Sequence, residues 1–265
     1  MRSVDAPFFI RMASPNDAQE CHEIDVEAWG EESAATVEML CARISAYPLG
    51  NFVAIDRKTG QIIGSVWTVA TAEKPITTWW ETSGEGAYSS VCDPYGDLLV
   101  GINVSVRPPY LGRNVGELLV IRAGEVAWAT GKRKAVLGSR IPEYHKWRDV
   151  FEAKDYIHLK LDAPGTHVYY HDAAGKLHQG PMKADLRDIA NGGKIDPLGW
   201  PIIGEAEDFT LRGFDGELAY FLDIRIAGQR CRLYQLLPGY FPDEDSCDNG
   251  VLIGWENEAH PDFKG

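Results

Sequence analysis

The segment 98–130 constrains the fold more than any other part of the chain. Its first residues, 98–106, form an almost unbroken apolar run that predicts a buried strand, and its second half predicts a long helix. The turn between them contains Gly112, Asn114 and Gly116, three residues that tolerate a left-handed backbone. Such a junction points successive backbone N–H groups at one spot, and the helix dipole reinforces them. This arrangement suits a pyrophosphate.

The same pattern has a plainer explanation, which is a strand-to-helix turn that binds nothing. Glycines are common at such turns, so the spacing alone favours neither interpretation. If the turn does bind phosphate, Gly116 leaves room for oxygens to approach the backbone and Arg113 is placed to add positive charge.

The rest of the chain combines strand-like and helix-like patterns. Strands are predicted at residues 8–12, 52–56, 61–71, 135–138, 230–237 and 250–256. Helices are predicted from a cap at Ser14 to about residue 29, and over 33–46, 142–155 and 217–227. The segment 156–212 is predicted to be irregular, with one hairpin at 166–179 and a short helix near 183–189. This order predicts an α/β (α+β) fold in which one mixed sheet carries helices on both faces.

Charge and composition narrow the classes of partner. The 265 residues carry a formal net charge of −13, which repels phosphate backbones, so nucleic acid is not an expected partner. No apolar run approaches the roughly 18 residues that a membrane helix requires, so no membrane partner is expected. The five cysteines include no C-x-x-C pair, which predicts reduced thiols in a cytoplasmic protein.

The stretch 104–116, with the sequence VSVRPPYLGRNVG, resembles the acetyl-CoA loop of the GNAT acyltransferase superfamily. Gly116 matches the last glycine of that loop, whereas Asn114 stands where the family has its middle glycine. Asparagine is the residue that best replaces glycine in a left-handed backbone, so this change is mild. Leu111 stands where the family has arginine or glutamine, which removes a side chain but no backbone donor.

Further segments resemble one subgroup of the superfamily, which occurs in polyketide synthase loading modules or fused to carbon–nitrogen hydrolases. These segments lie at residues 78–86, 92–94, 138–145, 237–246 and 251–255. The resemblance implies a single GNAT domain over residues 1–265, with a mostly antiparallel sheet that splays at its centre. It also implies an inserted subdomain at about 162–212, and a place in secondary metabolism.

The resemblance implies acetyl-CoA or another acyl-CoA as cosubstrate, and no metal. The pyrophosphate is expected on the turn 111–116 and the pantetheine arm alongside 102–106, where the backbone N–H of Val104 or of Val106 is expected to polarise the thioester carbonyl. The residues expected to bind the cosubstrate are Val104, Val106, Leu111, Gly112, Arg113, Asn114, Val115 and Gly116.

Three residues are candidates for the chemistry. His145 is the first choice for acid–base work, because its ordinary pKa suits proton transfer at neutral pH. Ser105 can orient a carbonyl or carboxylate, and Tyr144 can protonate the leaving thiolate. Each also has a structural explanation, as a hydrogen-bonded histidine, a packed strand serine and a half-buried aromatic ring. The tyrosine that the family places before its sixth strand should fall near Ile224 and is missing, with Tyr220 one helical turn earlier.

Trp79, Trp80 and Tyr240 are the residues expected to line the acceptor pocket, with packing as the alternative. A loose group of histidines, at 158, 167, 171 and 178, lacks convincing further ligands for a metal.

Three functions stay open from the sequence. The first is transfer of an acetyl or short acyl group to a small molecule, most simply an amine. The second is acyl loading onto the thiol of an acyl carrier protein, with or without decarboxylation of malonyl-CoA. The third is a regulatory module that binds acyl-CoA without turnover.

Overall fold

A computed structural model describes residues 7–141, 144–146, 148–149, 152–157, 167–171, 177–181, 202–205 and 224–263. Its helices are α1 (Ala18–Trp29), α2 (Val37–Ala46), α3 (Trp79–Thr82), α4 (Val115–Ala129) and α5 (Ala153–Tyr156). The first strands are β1 (Phe8–Met12), β2 (Phe52–Asp56), β3 (Ile62–Thr71), β4 (Leu98–Val106), β5 (Lys134–Arg140) and β6 (His167–His171). The remaining strands are β7 (Leu177–Pro181), β8 (Ile202–Glu205), β9 (Arg225–Ile226), β10 (Gln229–Arg230), β11 (Arg232–Leu237) and β12 (Gly250–Glu256).

The main sheet has seven strands in the order β1-β2-β3-β4-β5-β12-β11. The strands β1 to β4 pair antiparallel with their neighbours, and β4 pairs parallel with β5. The mixed, largely antiparallel sheet predicted from the sequence is therefore confirmed. No helix in the described part of the chain is both long and apolar enough to cross a membrane.

The sheet opens between β4 and β5. The two strands pair from Leu98 with Lys134 to Gly101 with Leu137, although β4 continues to Val106. The β3–β4 register also shifts beside this point and leaves Ile102 as an extra residue, which is a β-bulge. The second half of β4 is thus paired with β3 alone, as the predicted splay requires.

Helices cover both faces of this sheet. One apolar cluster joins the sheet to α1 and α2, and a second joins it to α4. The β-bulge at Ile102 explains the division along β4. Leu98, Val100 and Ile102 belong to the first cluster, whereas Val104 and Val106, which plain alternation would place on the same face, pack against the second.

Local signals decide where the first helices begin. The Ser14 backbone N–H and hydroxyl both donate to the Asp17 carboxylate, at 2.7 and 2.9 Å, and a 3-10 turn at Pro15–Asp17 leads into α1. The prediction that α2 begins at residue 33 is wrong. Thr36 caps that helix by accepting the Met39 N–H at 3.2 Å, so the helix starts at Val37.

Two other predicted helices are also corrected. The helix predicted over 142–155 is in its described residues a 3-10 turn at Tyr144–Lys146 and the single turn α5. The end of the helix predicted over 217–227 is instead strand β9, paired antiparallel with β10. Ala227 and Gly228, with φ of 50° and 84°, make the tight turn between them. Residues 217–223 lie outside the described residues.

The chain divides into two compact units. The first comprises Met1–Gly138, Phe221–Phe241 and Leu252–Gly265, and the second comprises Ser139–Tyr220 and Pro242–Val251. Within the second unit, β6 and β7 form the predicted hairpin, and β8 joins β6 where irregular structure was predicted. The helix predicted near 183–189 lies outside the described residues.

All five cysteines are free thiols in the structure. Within the ranges that the structure describes, no three metal-binding side chains of the His, Cys, Asp and Glu types come together.

Candidate functional site

The turn before α4 adopts the backbone that its residues permit. Gly112 and Asn114 are left-handed, with φ of 72° and 60°, as predicted. Gly116 differs, because it lies in the first helical turn without a positive φ. A Cβ added to Gly116 would meet the Val104 and Val106 side chains at 3.7 and 3.6 Å, which is ordinary contact. A larger side chain there would press on β4.

The start of α4 presents free backbone donors. In the described residues, the N–H groups of Gly112 to Gly116 donate no hydrogen bond, and the first bond of the helix runs from the Leu118 N–H to the Asn114 carbonyl at 3.1 Å. The N–H groups of Tyr110 and Leu111, in contrast, bond within the preceding 3-10 turn. Five successive amides at a helix N-terminus are therefore available to an anion.

The side chains of this turn differ in what they add. The Arg113 guanidinium lies 5.2 Å from the centre of the Tyr110 ring, so a positive charge is held beside the free amides. Leu111 is 65% exposed, and its apolar side chain supplies no charge. Val115 is buried against the sheet and contributes its amide only.

The second half of β4 directs two further amides into the opening of the sheet. The Arg107 N–H donates to the Ile63 carbonyl of β3 at 3.0 Å. Because the N–H groups of a strand alternate in direction, those of Val104 and Val106 point to the opposite edge. On that edge β4 pairs with β5, and the last pair of residues is Gly101 with Leu137. The predicted polarising amides therefore face the space that β5 has left.

Two of the three predicted pocket residues lie at this opening. The Trp79 indole donates to the Ile102 carbonyl at 3.0 Å, and its backbone N–H donates to the Tyr240 carbonyl at 2.7 Å. The Tyr240 ring lies on Gly138, where an added Cβ would be 2.2 Å from Cζ. The Tyr240 hydroxyl is buried without a hydrogen-bond partner in the described part of the chain, and burial raises its pKa. Trp80 is 51% exposed and does not share these contacts.

Ser105 belongs to a buried network that the sequence did not reveal. Its hydroxyl donates to Asp25 Oδ1 at 2.6 Å and accepts the Trp29 indole N–H at 2.8 Å, while the Asn103 amide also donates to Asp25 Oδ1 at 3.1 Å. Asp25 is fully buried; burial raises its pKa, against the hydrogen bond from Ser105 and the charge of Arg43. To donate to a carbonyl or carboxylate, Ser105 would first have to release Asp25.

Arg43 is the positive counterpart of this network. It is fully buried in α2, and its Nε donates to the Gly86 carbonyl at 2.7 Å. Its guanidinium carbon lies 6.0 Å from the centre of the Trp67 ring and 5.5 Å from that of Tyr88. The two ring faces take the place of hydrogen-bond acceptors around the charge.

His145 has a carboxylate partner in the second unit. Its Nδ1 lies 2.8 Å from Asp245 Oδ1, and its backbone N–H donates to the Asp245 carbonyl at 2.9 Å. Arg140 bonds to the Asp243 carboxylate at 3.0 and 2.9 Å in the same group. A carboxylate on Nδ1 fixes the imidazole tautomer and leaves Nε2 for proton transfer.

Tyr144 packs against the Tyr156 ring at 5.2 Å between centroids, and burial raises its pKa. The position of the missing family tyrosine, Ile224, is buried, and its carbonyl accepts the Trp255 indole N–H at 2.9 Å. Tyr220 lies outside the described residues.

Two proteins of Bacillus subtilis are among those similar to this chain in sequence. No protein-family pattern matches the sequence. The chain is 26% identical over 225 residues to the uncharacterized N-acetyltransferase YkwB of Bacillus subtilis (strain 168), which covers 83% of this chain and 74% of YkwB. It is 28% identical over 123 residues to the probable hydrolase YhcX of the same organism, covering 45% of this chain and 23% of YhcX. The chain thus matches only about a quarter of that hydrolase, so the predicted likeness to hydrolase-fused domains stays a prediction.

Two solved structures share the fold over nearly the whole chain. The loading GNATL domain of CurA from Lyngbya majuscula superposes with a TM-score of 0.59 at 16% identity, covering 94% of this chain and 97% of that domain. The GphF GNAT-like decarboxylase, solved with isobutyryl-CoA, superposes with a TM-score of 0.56 at 19% identity, covering 94% of this chain and 98% of GphF. This chain therefore has the GNAT fold.

Proposed function

We propose that this protein binds an acyl-CoA and transfers its acyl group, acetyl or another short acyl, to an amine of a small molecule. The observation that carries the proposal is the run of five undonated amides at the start of α4, next to the opening between β4 and β5. A neighbour of the same fold, GphF, was solved with isobutyryl-CoA, which supports a CoA thioester as the ligand class.

The geometry divides the work between two parts of the first unit. The amides of residues 112–116 hold the pyrophosphate, with the helix dipole and Arg113 adding positive potential. The thioester lies along the second half of β4, where the N–H groups of Val104 and Val106 stabilise the negative charge that develops on its carbonyl oxygen. Trp79 and Tyr240 line the opening on the acceptor side.

The proton of the attacking amine needs an acceptor. We retain His145 for this role, because its Nδ1 contacts the Asp245 carboxylate and its side chain is 45% exposed. Tyr144 is a weaker candidate for protonating the thiolate, since its ring is packed against Tyr156.

A second candidate function has its own support. The likeness to the CurA loading domain and to the GphF decarboxylase favours S-acyl loading of a carrier-protein thiol, with decarboxylation when the acyl group is malonyl. The third candidate is an acyl-CoA-binding module without turnover. The features that favour it are Leu111, Asn114 and the absence of a tyrosine at position 224.

One assay separates the three functions. The protein is incubated with acetyl-CoA, malonyl-CoA or isobutyryl-CoA, together with a panel of amines or a phosphopantetheinylated carrier protein. Free CoA is measured by chromatography, because the partly exposed thiols of Cys41, Cys92 and Cys247 would add to the signal of a thiol reagent. Amine-dependent release supports the proposal, and a mass increase on the carrier protein supports the second function. Tight CoA binding without either leaves the binding module, and no binding refutes all three.

A further inference from the structure

The second half of β4 is an unusual place for two catalytic amides. Residues 102–106 have a strand neighbour on one side, β3, and the ladder to β5 has already ended. A strand edge without a partner has more freedom to twist, whereas stabilisation of a developing charge depends on donors whose direction is fixed beforehand. Something other than the ladder has to hold this stretch.

A single carboxylate oxygen contacts both neighbours of Val104. Asp25 Oδ1 accepts the Asn103 amide at 3.1 Å and the Ser105 hydroxyl at 2.6 Å. The two side chains alternate with Val104 and Val106, so they point to the α1 face while the amides point along the sheet edge. The carboxylate therefore fastens β4 to α1 on each side of Val104.

The other groups around Asp25 keep that carboxylate in place. The Trp29 indole N–H, also on α1, donates to the Ser105 hydroxyl and is the third hydrogen bond between α1 and β4 in this network. The charge of Arg43 approaches from α2 and lowers the pKa of Asp25, although burial raises it more. Tyr88 and Cys21 are two further titratable groups near Asp25; burial raises the pKa of both, so neither adds a competing charge at neutral pH.

We propose that Asp25 is a positioning residue that fixes the direction of the Val104 and Val106 amides through its bonds to Asn103 and Ser105. The inference rests on the proposed function, because it assigns a purpose to amides that polarise a thioester carbonyl. Asp25 itself touches no substrate. Its removal frees the second half of β4, so the transition state loses stabilisation while the pyrophosphate grip on residues 112–116 stays intact.

The test compares four variants. Asp25→Ala and Ser105→Ala remove the bonds, and Asp25→Asn keeps an acceptor oxygen and serves as the conservative rescue. The matched control is Asp17→Asn, a second buried carboxylate at the start of the same helical region, whose hydrogen bonds in the described part of the chain go to Arg11 and Ser14 and not to β4. Thermal unfolding shows which variants fold.

Two measurements report positioning instead of folding. The first is the split between kcat and KM for acetyl-CoA in the amine assay. The second is the infrared band of the carbonyl in bound 13C-labelled acetyl-CoA, which moves to lower frequency when donors polarise it and needs no turnover. We expect kcat to fall about tenfold or more in Asp25→Ala, with KM within about twofold, because the lost interaction is made in the transition state. The band should return toward its position in water, and Asp25→Asn should recover part of both effects.

Each outcome decides the matter. Folded Asp25→Ala or Ser105→Ala with kcat within threefold of wild type and an unchanged band overturns the positioning role and leaves the transfer function standing. If Asp25→Ala does not fold, Ser105→Ala and Asp25→Asn carry the test. Wild-type protein that binds acetyl-CoA without a band shift also overturns the role, whereas protein that binds no acetyl-CoA removes the proposed function itself.

Discussion

Gly112 and Gly131 offer a matched pair of substitutions at the two ends of α4. Both are left-handed, with φ of 72° and 75°, and an added Cβ at either would meet nothing within 4 Å. Alanine at either position therefore introduces the same backbone strain, about 1–2 kcal/mol, and no collision. The two positions differ in what lies beside them, because only Gly112 borders the free amides.

Strain at the two ends should appear in different measurements. The turn at Gly131 is held by the bond from the Lys132 N–H to the Ala127 carbonyl at 2.9 Å, so its strain stays in the folded state. Gly131→Ala should lower the unfolding temperature by about 2–4 °C for each kcal/mol and leave CoA affinity unchanged. The turn at Gly112 has no such bond and can relax when empty.

Gly112→Ala should accordingly weaken CoA binding, because the ligand must restore the strained turn. A cost of about 1–2 kcal/mol corresponds to a Kd about 5–30 times higher. Isothermal titration with CoA measures the affinity, and calorimetric unfolding measures the stability of both variants. Equal affinity in Gly112→Ala and Gly131→Ala would show that the turn does not hold the pyrophosphate.

Three further outcomes follow from contacts described above. Gly138→Ala should destabilise the fold by about 1–3 kcal/mol, because its Cβ would lie 2.2 Å from Tyr240 Cζ; an unchanged unfolding temperature would mean that the ring moves freely. His145→Ala should lower turnover about 100-fold or more if the ring takes the amine proton, and turnover within threefold removes it from the mechanism. Burial alone would raise the pKa of Asp17, yet hydrogen bonds led by that from Arg11 hold it below its usual value. Its stabilisation is thus present above the unfolded pKa of about 3.9 and lost as pH falls through the lower folded value. Asp17→Asn should cost about 1 kcal/mol at neutral pH and show a flatter loss of stability in acid, and a parallel loss would contradict the assignment.

The main sheet and its helices were predictable because their signals are local. The apolar run of β4, the cap of α1 and the left-handed turn at Gly112 and Asn114 each depend on residues close in sequence. The helix predicted over 217–227 was wrong at its end, where Arg225 and Ile226 form a strand, and the reason lies in tertiary packing. An apolar, helix-compatible stretch was recruited into a ribbon whose Ile226 packs on Gly124, where an added Cβ would be only 2.2 Å away.

The candidate site also has one part that was predictable from local sequence and one part that was not. Backbone donors at the turn were visible in the sequence, since strand, turn and helix follow one another directly. Asp25 was not, because its partners on β4 lie 78 and 80 residues away. One signal was present: Asp25 follows Ile24 and lies one turn after Cys21, so a carboxylate stands on the buried face of α1.

A binding site made of main-chain amides places little constraint on which side chains occupy it. Every residue except proline carries the same N–H, so the turn keeps its five donors whatever side chains decorate it, provided the backbone can bend where Gly112 and Asn114 bend it. Selection at this turn then acts on shape and hardly on identity. Proteins that share this turn can therefore differ at most of its positions. Superposition of their backbones will detect the shared turn more readily than sequence alignment.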